Sequence, residues 1–336
     1  MTAGLAGLSN ALPEPLYTTK LGSAFLGDSL KLMKLLPSSS IDLVVTSPPF
    51  PLQREKHYGN PSNEDGFVSW FMPFAEQVMR ILKEDGSFVL DLGGVYVKGR
   101  PVRSLYNFRL LVEMCDRQGW RLAEDFYWYN TSKLPSPIEW VNKRKVRVKD
   151  AIDTVWWLSK TDSPKADASA VLTPYSERMK KLLRLKYKFY TPAVRPSGHT
   201  ISDRFMTLHE GKGAIPPNVL AIPNTDSNSR YVRGCHALQI ETNPARFSLE
   251  VPEFFIKFLT RPGDVVLDIF AGSNTTGEAA ESLGRHWLAF EIERKYLAAS
   301  AFRFVDLSDD SALRGLYTRL MSSGEAIELM PTSKLE

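Results

Sequence analysis

Val265-Val266-Leu267-Asp268-Ile269-Phe270-Ala271-Gly272-Ser273-Asn274-Thr275-Thr276-Gly277 is the stretch on which the reading of this chain turns. It opens as an apolar, β-branched run, passes through small residues and ends where a helix can start. Small residues let a backbone approach a ligand closely. The free N–H groups at a helix start carry partial positive charge. The run is neither Gly-x-Gly-x-x-Gly nor a loop ending in Gly-Lys-Ser/Thr, so a phosphate cradle has little support. Further on, Trp287-Leu288-Ala289-Phe290-Glu291 puts an acid at the end of the next apolar run. In such sheets an acid there accepts hydrogen bonds from ribose hydroxyls. The other reading is an acid that caps the following helix.

Outward from this stretch, strands and helices alternate. Residues 41–46, 87–92, 265–270 and 287–291 read as strands buried on both faces. Helical spacing marks 29–36, 66–82, 104–118, 252–259 and 276–283, with Gly119 and Gly284 as stops. The alternation predicts an α/β fold with a doubly wound, mostly parallel sheet. Between 163 and 243 the periodicity fails. Pro164, Pro174, Pro192, Pro196, Pro216, Pro217 and Pro223 interrupt it. Tyr175, Tyr187, Phe189, Tyr190, Phe205 and Tyr231 argue against a disordered linker there. The expected organisation is one domain made of 20–162 and 244–310, an irregular module inserted at 163–243, and an extension at 311–336.

The chain has 336 residues, 43% hydrophobic and 24% charged, ordinary values for a globular protein. No apolar run approaches the ~18–20 residues of a membrane span, and the N-terminus lacks the pattern of a secretory signal. The two cysteines, Cys115 and Cys235, lie far apart, which fits a reduced cytoplasmic setting. The five histidines (57, 199, 209, 236 and 286) show no metal-ligand spacing, so no metal is expected. The net charge is +4, but residues 130–205 hold 16 Lys/Arg against 7 Asp/Glu. That concentration fits a polyanionic partner, or a solvated surface.

A second stretch carries chemistry. Ile41-Asp42-Leu43-Val44-Val45-Thr46 runs into Ser47-Pro48-Pro49-Phe50. The prolines end ladder bonding and stiffen the turn. A planar base could stack on Phe50 while its amine donates to the Ser47 hydroxyl and the Pro48 carbonyl. An ordinary Pro-Pro turn is the alternative.

Taken together and in this order, the Ser47–Phe50 tetrapeptide and the Asp268–Thr276 run resemble the amino-methyltransferases of bacterial restriction–modification systems. The arrangement is their permuted (β) one, and the resemblance favours the cytosine-N4 members. It extends through Gly27-Asp28-Ser29-Leu30, Asp91-Leu92-Gly93-Gly94, Glu124-Asp125-Phe126-Tyr127-Trp128, Leu134-Pro135-Ser136-Pro137-Ile138-Glu139-Trp140, Asn142-Lys143-Arg144-Lys145 and Pro244-Ala245-Arg246-Phe247. The resemblance implies a Rossmann-like, circularly permuted fold dependent on S-adenosylmethionine, with 163–243 as the target-recognition region. Asp268, Phe270, Gly272, Ser273, Asn274 and Thr275 would then shape the cofactor loop, and Glu291 would hold the ribose. Asp28 would lie near the adenine, and Asp91 and Phe247 near the methionine ammonium group. Asp28 and Asp91 also fit a helix cap or a solvated turn acid. The loop has Asn274 where glycine is common. Asn tolerates left-handed dihedrals, so the turn is expected to survive.

The implied reaction is direct methyl transfer to N4 of a flipped cytosine in a short duplex target, leaving S-adenosylhomocysteine. Serine rather than aspartate at position 47 points the same way. Carbon-5 methylation needs a cysteine thiolate. In that family the cysteine follows a proline, whereas Cys115 follows Met114 and Cys235 follows Gly234. Adenine-N6 transfer, methylation of RNA or of a protein amide, and a non-catalytic DNA-binding protein stay open. Lys143, Arg144, Lys145, Arg147 and Lys149 are candidates for phosphate contact. Arg195 and His199, on a Pro/Gly loop, are candidates for base-edge reading. The expected partners are double-stranded DNA and a cognate restriction endonuclease encoded nearby without direct contact. The expected setting is the bacterial cytoplasm, at the nucleoid and away from membranes.

Overall fold

The computed structural model describes residues 3–51, 64–185, 213–322 and 324–329. In chain order the elements are α1 (Ala3–Ala11), β1 (Tyr17–Thr18), β2 (Gly22–Leu26), α2 (Ser29–Leu35), β3 (Ile41–Thr46), α3 (Glu64–Ile81), β4 (Leu82–Gly93), α4 (Tyr106–Gln118), β5 (Arg121–Tyr129), β6 (Ile152–Ser159), α5 (Glu177–Arg184), β7 (Val219–Ala221), α6 (Arg230–Leu238), α7 (Glu250–Leu259), β8 (Val265–Asp268), α8 (Thr275–Ser282), β9 (His286–Glu291), α9 (Arg294–Ser300), α10 (Asp310–Ser322) and β10 (Ile327–Glu328). The strands form one sheet in the order β10-β1-β2-β9-β8-β3-β4-β6-β5-β7. Its centre, β2-β9-β8-β3-β4, is parallel, and β6 runs antiparallel between β4 and β5. This is the expected α/β fold with a mostly parallel sheet.

The central strands are mostly apolar between their ends because helices cover both faces. Val44, Phe88, Leu90, Leu267 and Phe290 join Phe67, Phe71 and Val78 of α3 and Leu110 and Met114 of α4 in one core. Leu43, Val45, Val89, Val266 and Ala289 turn the other way, onto Phe255 and Ile256 of α7 and Ala279 and Ala280 of α8. The period of two in side-chain direction is thus hidden in the sequence by burial on both sides.

β3 leads through α3 to β4 on one side, and β8 leads through α8 to β9 on the other. β3 and β8 are neighbours, with Leu43 beside Val266 and Val44 beside Leu267. The connections therefore diverge between them and leave a crevice past their carboxyl ends, where open α/β sheets bind ligands. The two stretches that carry the sequence reading end at this crevice.

The chain divides into two compact units, Met1–Lys165 with Asn218–Glu336, and Ala166–Pro217. The second is narrower than the 163–243 module read from the sequence. Residues 218–243 join the sheet unit for physical reasons. β7 pairs with β5, and Asn218 Nδ2 donates to the Asp125 carbonyl at 2.8 Å. α6 buries Tyr231, Val232, Cys235 and Leu238 with Phe302 and Leu313. Within the second unit, Thr173 and Ala214 exchange two backbone hydrogen bonds, both 2.8 Å. Ser176 caps α5, whose Arg178, Lys180, Lys181 and Arg184 are exposed. Among the described residues, no helix is long and apolar enough to cross a membrane.

Candidate active site

Asp268, at the end of β8, is consumed by structure. Thr46 Oγ1 of β3 donates to it at 2.6 Å, Thr276 Oγ1 of α8 at 2.7 Å and the Phe270 amide at 3.0 Å. Burial still holds its carboxyl above the ordinary range. One carboxylate thus ties the proline-bearing strand, the small-residue turn and the following helix together. The turn itself needs two left-handed residues. Gly272 has φ 52°, and a Cβ there would lie 2.4 Å from Asn243 Nδ2. Asn274 has φ 55° and ψ 43°, as its type allows. Its side chain turns inward, accepting from the Gly277 amide at 3.1 Å and donating to the Tyr17 hydroxyl at 3.0 Å. Asn274 therefore shapes the loop from behind rather than lining the cleft.

Glu291 closes the turn from β9. Its Oε2 accepts from the Gly272 amide at 2.7 Å and its Oε1 from the Glu293 amide at 2.8 Å. Burial pushes this carboxyl up to about 7. Asp28 takes the helix-cap role, accepting from the Leu30 amide of α2 at 3.0 Å, and it also lines the cleft.

Across the crevice, Ser47, Pro48, Pro49 and Phe50 leave the end of β3. The Ser47 hydroxyl hydrogen-bonds the buried Asp91 carboxyl of β4. Burial, and then the neighbouring Asp153, push Asp91 well above the usual carboxylate range, while Ser47 and Lys133 pull it back. Asp91 Oδ1 is buried without a hydrogen-bond partner. Asp153, opposite Gly93 in the β4–β6 ladder, is itself raised by burial and by Asp150, against Lys133 and Arg103. The Phe50 ring covers Gly93, where a Cβ would stand 2.5 Å from Phe50 Cε2 and 2.9 Å from Asp153 Oδ1.

Between these walls lies one cleft of about 700 Å³. Ser47, Pro48, Pro49, Phe50, Asp28, Asp91, Phe247, Asp268, Phe270, Gly272, Ser273, Thr275 and Glu291 line it. Of the candidates for catalysis and cofactor, only Asn274 does not. The sequence reading missed several others at the same cleft. Asp153 and Lys133 set its charge, and Trp70 and Phe74 extend the aromatic wall of Phe270, with ring centroids at 5.8 and 5.2 Å. Asn130 accepts from the Asn224 amide at 3.0 Å, and Asn224 donates to the Arg246 carbonyl at 2.9 Å, stitching the far wall. Arg303, 3% exposed, donates to the hydroxyls of Ser273 and Thr275 at 3.1 and 3.0 Å, holding the turn from below. An acid just ahead of the Val155–Leu158 apolar run was the available signal for Asp153. Arg303 gave none, since a basic residue in a helical run reads as surface.

The basic candidates lie outside the cleft and are exposed. Lys143 and Arg144 both pair with Glu139, at 3.5 and 2.9 Å. Arg147 donates to the Pro101 carbonyl at 2.6 Å and Lys149 to the Lys133 carbonyl at 3.2 Å. Lys145 has φ 55°. Arg195 and His199 lie outside the described residues. Cys115 and Cys235 are free thiols, and burial raises both. Among the described residues, no group of three or more His, Cys, Asp or Glu stands ready to hold a metal ion.

Comparison with known proteins finds relatives over nearly the whole chain. The type II methyltransferase M.PvuII of Proteus hauseri is 55% identical over 317 residues, 94% of this chain and 93% of its own. M.BglII of Bacillus subtilis is 24% identical over 86% of this chain and 71% of its own. The solved PvuII DNA methyltransferase (cytosine-N4-specific) matches with a TM-score of 0.77 at 48% identity, covering 94% of this chain and 98% of that one. TTHA0409 of Thermus thermophilus, solved with S-adenosyl-L-methionine, matches at 0.51 and 19% identity over 91% of this chain and 99% of its own, a likeness of fold. The family model described as DNA methylase matches residues 41–302. On that match and on the M.PvuII identity, the chain belongs to the N6/N4 DNA methylase family.

Proposed function

We propose that this chain is a site-specific DNA methyltransferase that moves a methyl group from S-adenosylmethionine to N4 of a flipped cytosine in a short duplex target. It would serve as the modifying partner of a restriction endonuclease. The observation that carries the reading is that the proline turn after β3 and the glycine turn after β8 border one cleft. The cytosine-N4-specific name of the 48%-identical solved relative supports the choice of base.

The residues present suit the cofactor. Gly272 lines the cleft, and its left-handed turn sits so close to Asn243 that no side chain fits there. Glu291 has lone pairs left beyond its bonds from the Gly272 and Glu293 amides and would accept the ribose hydroxyls. Asp28 would meet the adenine, Phe247 would border the methionine part, and the unpartnered Asp91 Oδ1 would take the ammonium group. When bound, the cofactor supplies a methyl group activated by its sulfonium centre.

An exocyclic amine is a weak nucleophile because its lone pair is delocalised into the ring. Phe50 stacks on the base. The Pro48 carbonyl and Ser47 Oγ accept the two amine hydrogens, drawing the nitrogen toward sp³ and freeing the pair. Ser47 keeps lone pairs for this work because its own proton is directed to Asp91. Attack requires the methyl carbon in line at about 3–3.5 Å. The nitrogen grows acidic as the methyl bond forms, so no strong base is needed: Ser47 Oγ takes the amine proton and passes its own to the Asp91 carboxylate.

The test is mass spectrometry of nucleosides from DNA incubated with the protein and cofactor. N4-methylcytosine is the expected product, and Ser47→Ala removes it. N6-methyladenine would overturn the choice of base. A protein that binds no S-adenosylmethionine by calorimetry would overturn the enzyme itself.

A further inference from the structure

Past Gly93 and Gly94, β4 does not end in a loose loop. Residues 95–104 form a tight hairpin. Tyr96 bridges Arg103 in antiparallel fashion, the Val97 amide donates to the Val102 carbonyl at 2.9 Å, and the Ser104 amide donates to the Val95 carbonyl at 2.9 Å. Gly99, at φ 71°, makes the tip. Lys98, Gly99 and Arg100 are exposed there. Among the described residues no carboxylate or other acceptor engages the Lys98 or Arg100 side chain.

The hairpin is clamped at its base. Arg103 donates to both oxygens of Asp150 at 2.6 Å, a bidentate pair of the stronger kind. The same guanidinium lies 4.4 Å over the Tyr96 ring. Arg147 Nη2 donates to the Pro101 carbonyl at 2.6 Å, from the opposite loop. Underneath, the Tyr106 hydroxyl donates to the Gly93 carbonyl, beside the Phe50 ring. Two uncommitted positive charges thus sit at the tip of a clamped hairpin, a few residues beyond Asp91.

The basic residues singled out by the sequence are different. Lys143 and Arg144 are partly neutralised by Glu139, and Arg147 holds the hairpin. We infer that hairpin 95–104 is a finger that grips the DNA backbone beside the flipped base, with Lys98 and Arg100 each taking a phosphate. The inference rests on the proposed function, since it needs duplex DNA at this cleft. Its occupant follows from charge: paired exposed cations without counterions suit a polyanion.

The experiment is duplex binding across a salt series for the wild type and Lys98→Ala/Arg100→Ala. Each phosphate that a cation no longer neutralises lowers the slope of log K against log salt by about 0.9. The double variant should therefore lose about 2 units of slope and, at low salt, on the order of tenfold in affinity. Its affinity for S-adenosylmethionine should match the wild type, and the charge-keeping Lys98→Arg/Arg100→Lys variant should restore the slope. Intact protein gives an independent arm. Duplexes with uncharged methylphosphonates flanking the target should weaken wild-type binding but leave the double variant unaffected. A double variant with the wild-type slope, or methylphosphonates that act equally on both proteins, would overturn the finger. A wild type that neither binds nor methylates duplex DNA would overturn the proposed function instead.

Discussion

Glu291 joins cofactor binding to pH. Its carboxyl lies at about 7, raised by burial against the pull of the Gly272 and Glu293 amides. Ribose hydroxyls donate to the ionised form, so binding below that pH must expel a proton. Affinity for S-adenosylmethionine should therefore rise as pH rises through about 7 and level off above it. One unit below, the loss approaches about tenfold. Calorimetry over this window tests the idea, with Glu291→Gln expected to bind weakly and to lose the part of the pH dependence centred near 7. An affinity already flat below neutrality would remove the carboxyl from the cofactor site. At this scale much was legible. Glu291 was readable from its place at a strand end, and Ser47 from its prolines. Asn274 was readable as a left-handed residue but not as one facing inward, because dihedral tolerance says nothing about side-chain partners. Asp153 was not singled out, since its importance comes from lying across the ladder from Gly93, and ladder register is not written in local sequence.

Among the elements, β4 bears the tightest constraint. At its last residue, Gly93, the Phe50 ring and Asp153 leave no room for a methyl group. Gly93→Ala should push Phe50 off its platform while the rest of the strand stays paired. A displacement of about 1 Å in such a group costs about 100-fold in rate. Single-turnover methylation should fall on that order, with cofactor affinity nearly unchanged. A variant with the wild-type rate would show that Phe50 does not need this seat. The helices and the doubly covered strands were readable because apolar periodicity and glycine stops agree. β5 and β6 were not read as strands. Arg121, Glu124 and Asp125 make β5 look like surface, although Phe126 and Trp128 alternate inward. Helix α6 was hidden by the prolines and polar residues around it, which made the whole of 163–243 look irregular.

For the whole molecule, the division into units bears on the role of the inserted residues. The sheet unit covers both faces with its own helices, and β7 pairs with β5 inside that unit. Replacing 166–217 by a flexible linker should leave S-adenosylmethionine binding and the melting curve close to wild type. Site-specific methylation of duplex DNA should be lost. Retained site specificity would move target recognition elsewhere in the chain. The sequence revealed alternation but not adjacency: nothing local says that residues 43–44 sit beside residues 266–267. That neighbourhood followed only from the resemblance, since strand order is decided by the packing of the complete sheet.

β1 and β10 run side by side, with Tyr17 opposite Ile327. The earliest and latest strands of the sheet are thus already close enough to be sewn together. A tandem copy of the coding stretch, trimmed to begin inside the inserted segment and to stop just before it, would encode the same tertiary arrangement with its two halves exchanged in reading direction. Rearrangement of motif order in this lineage would then require only cutting and splicing, and no redesign of the core.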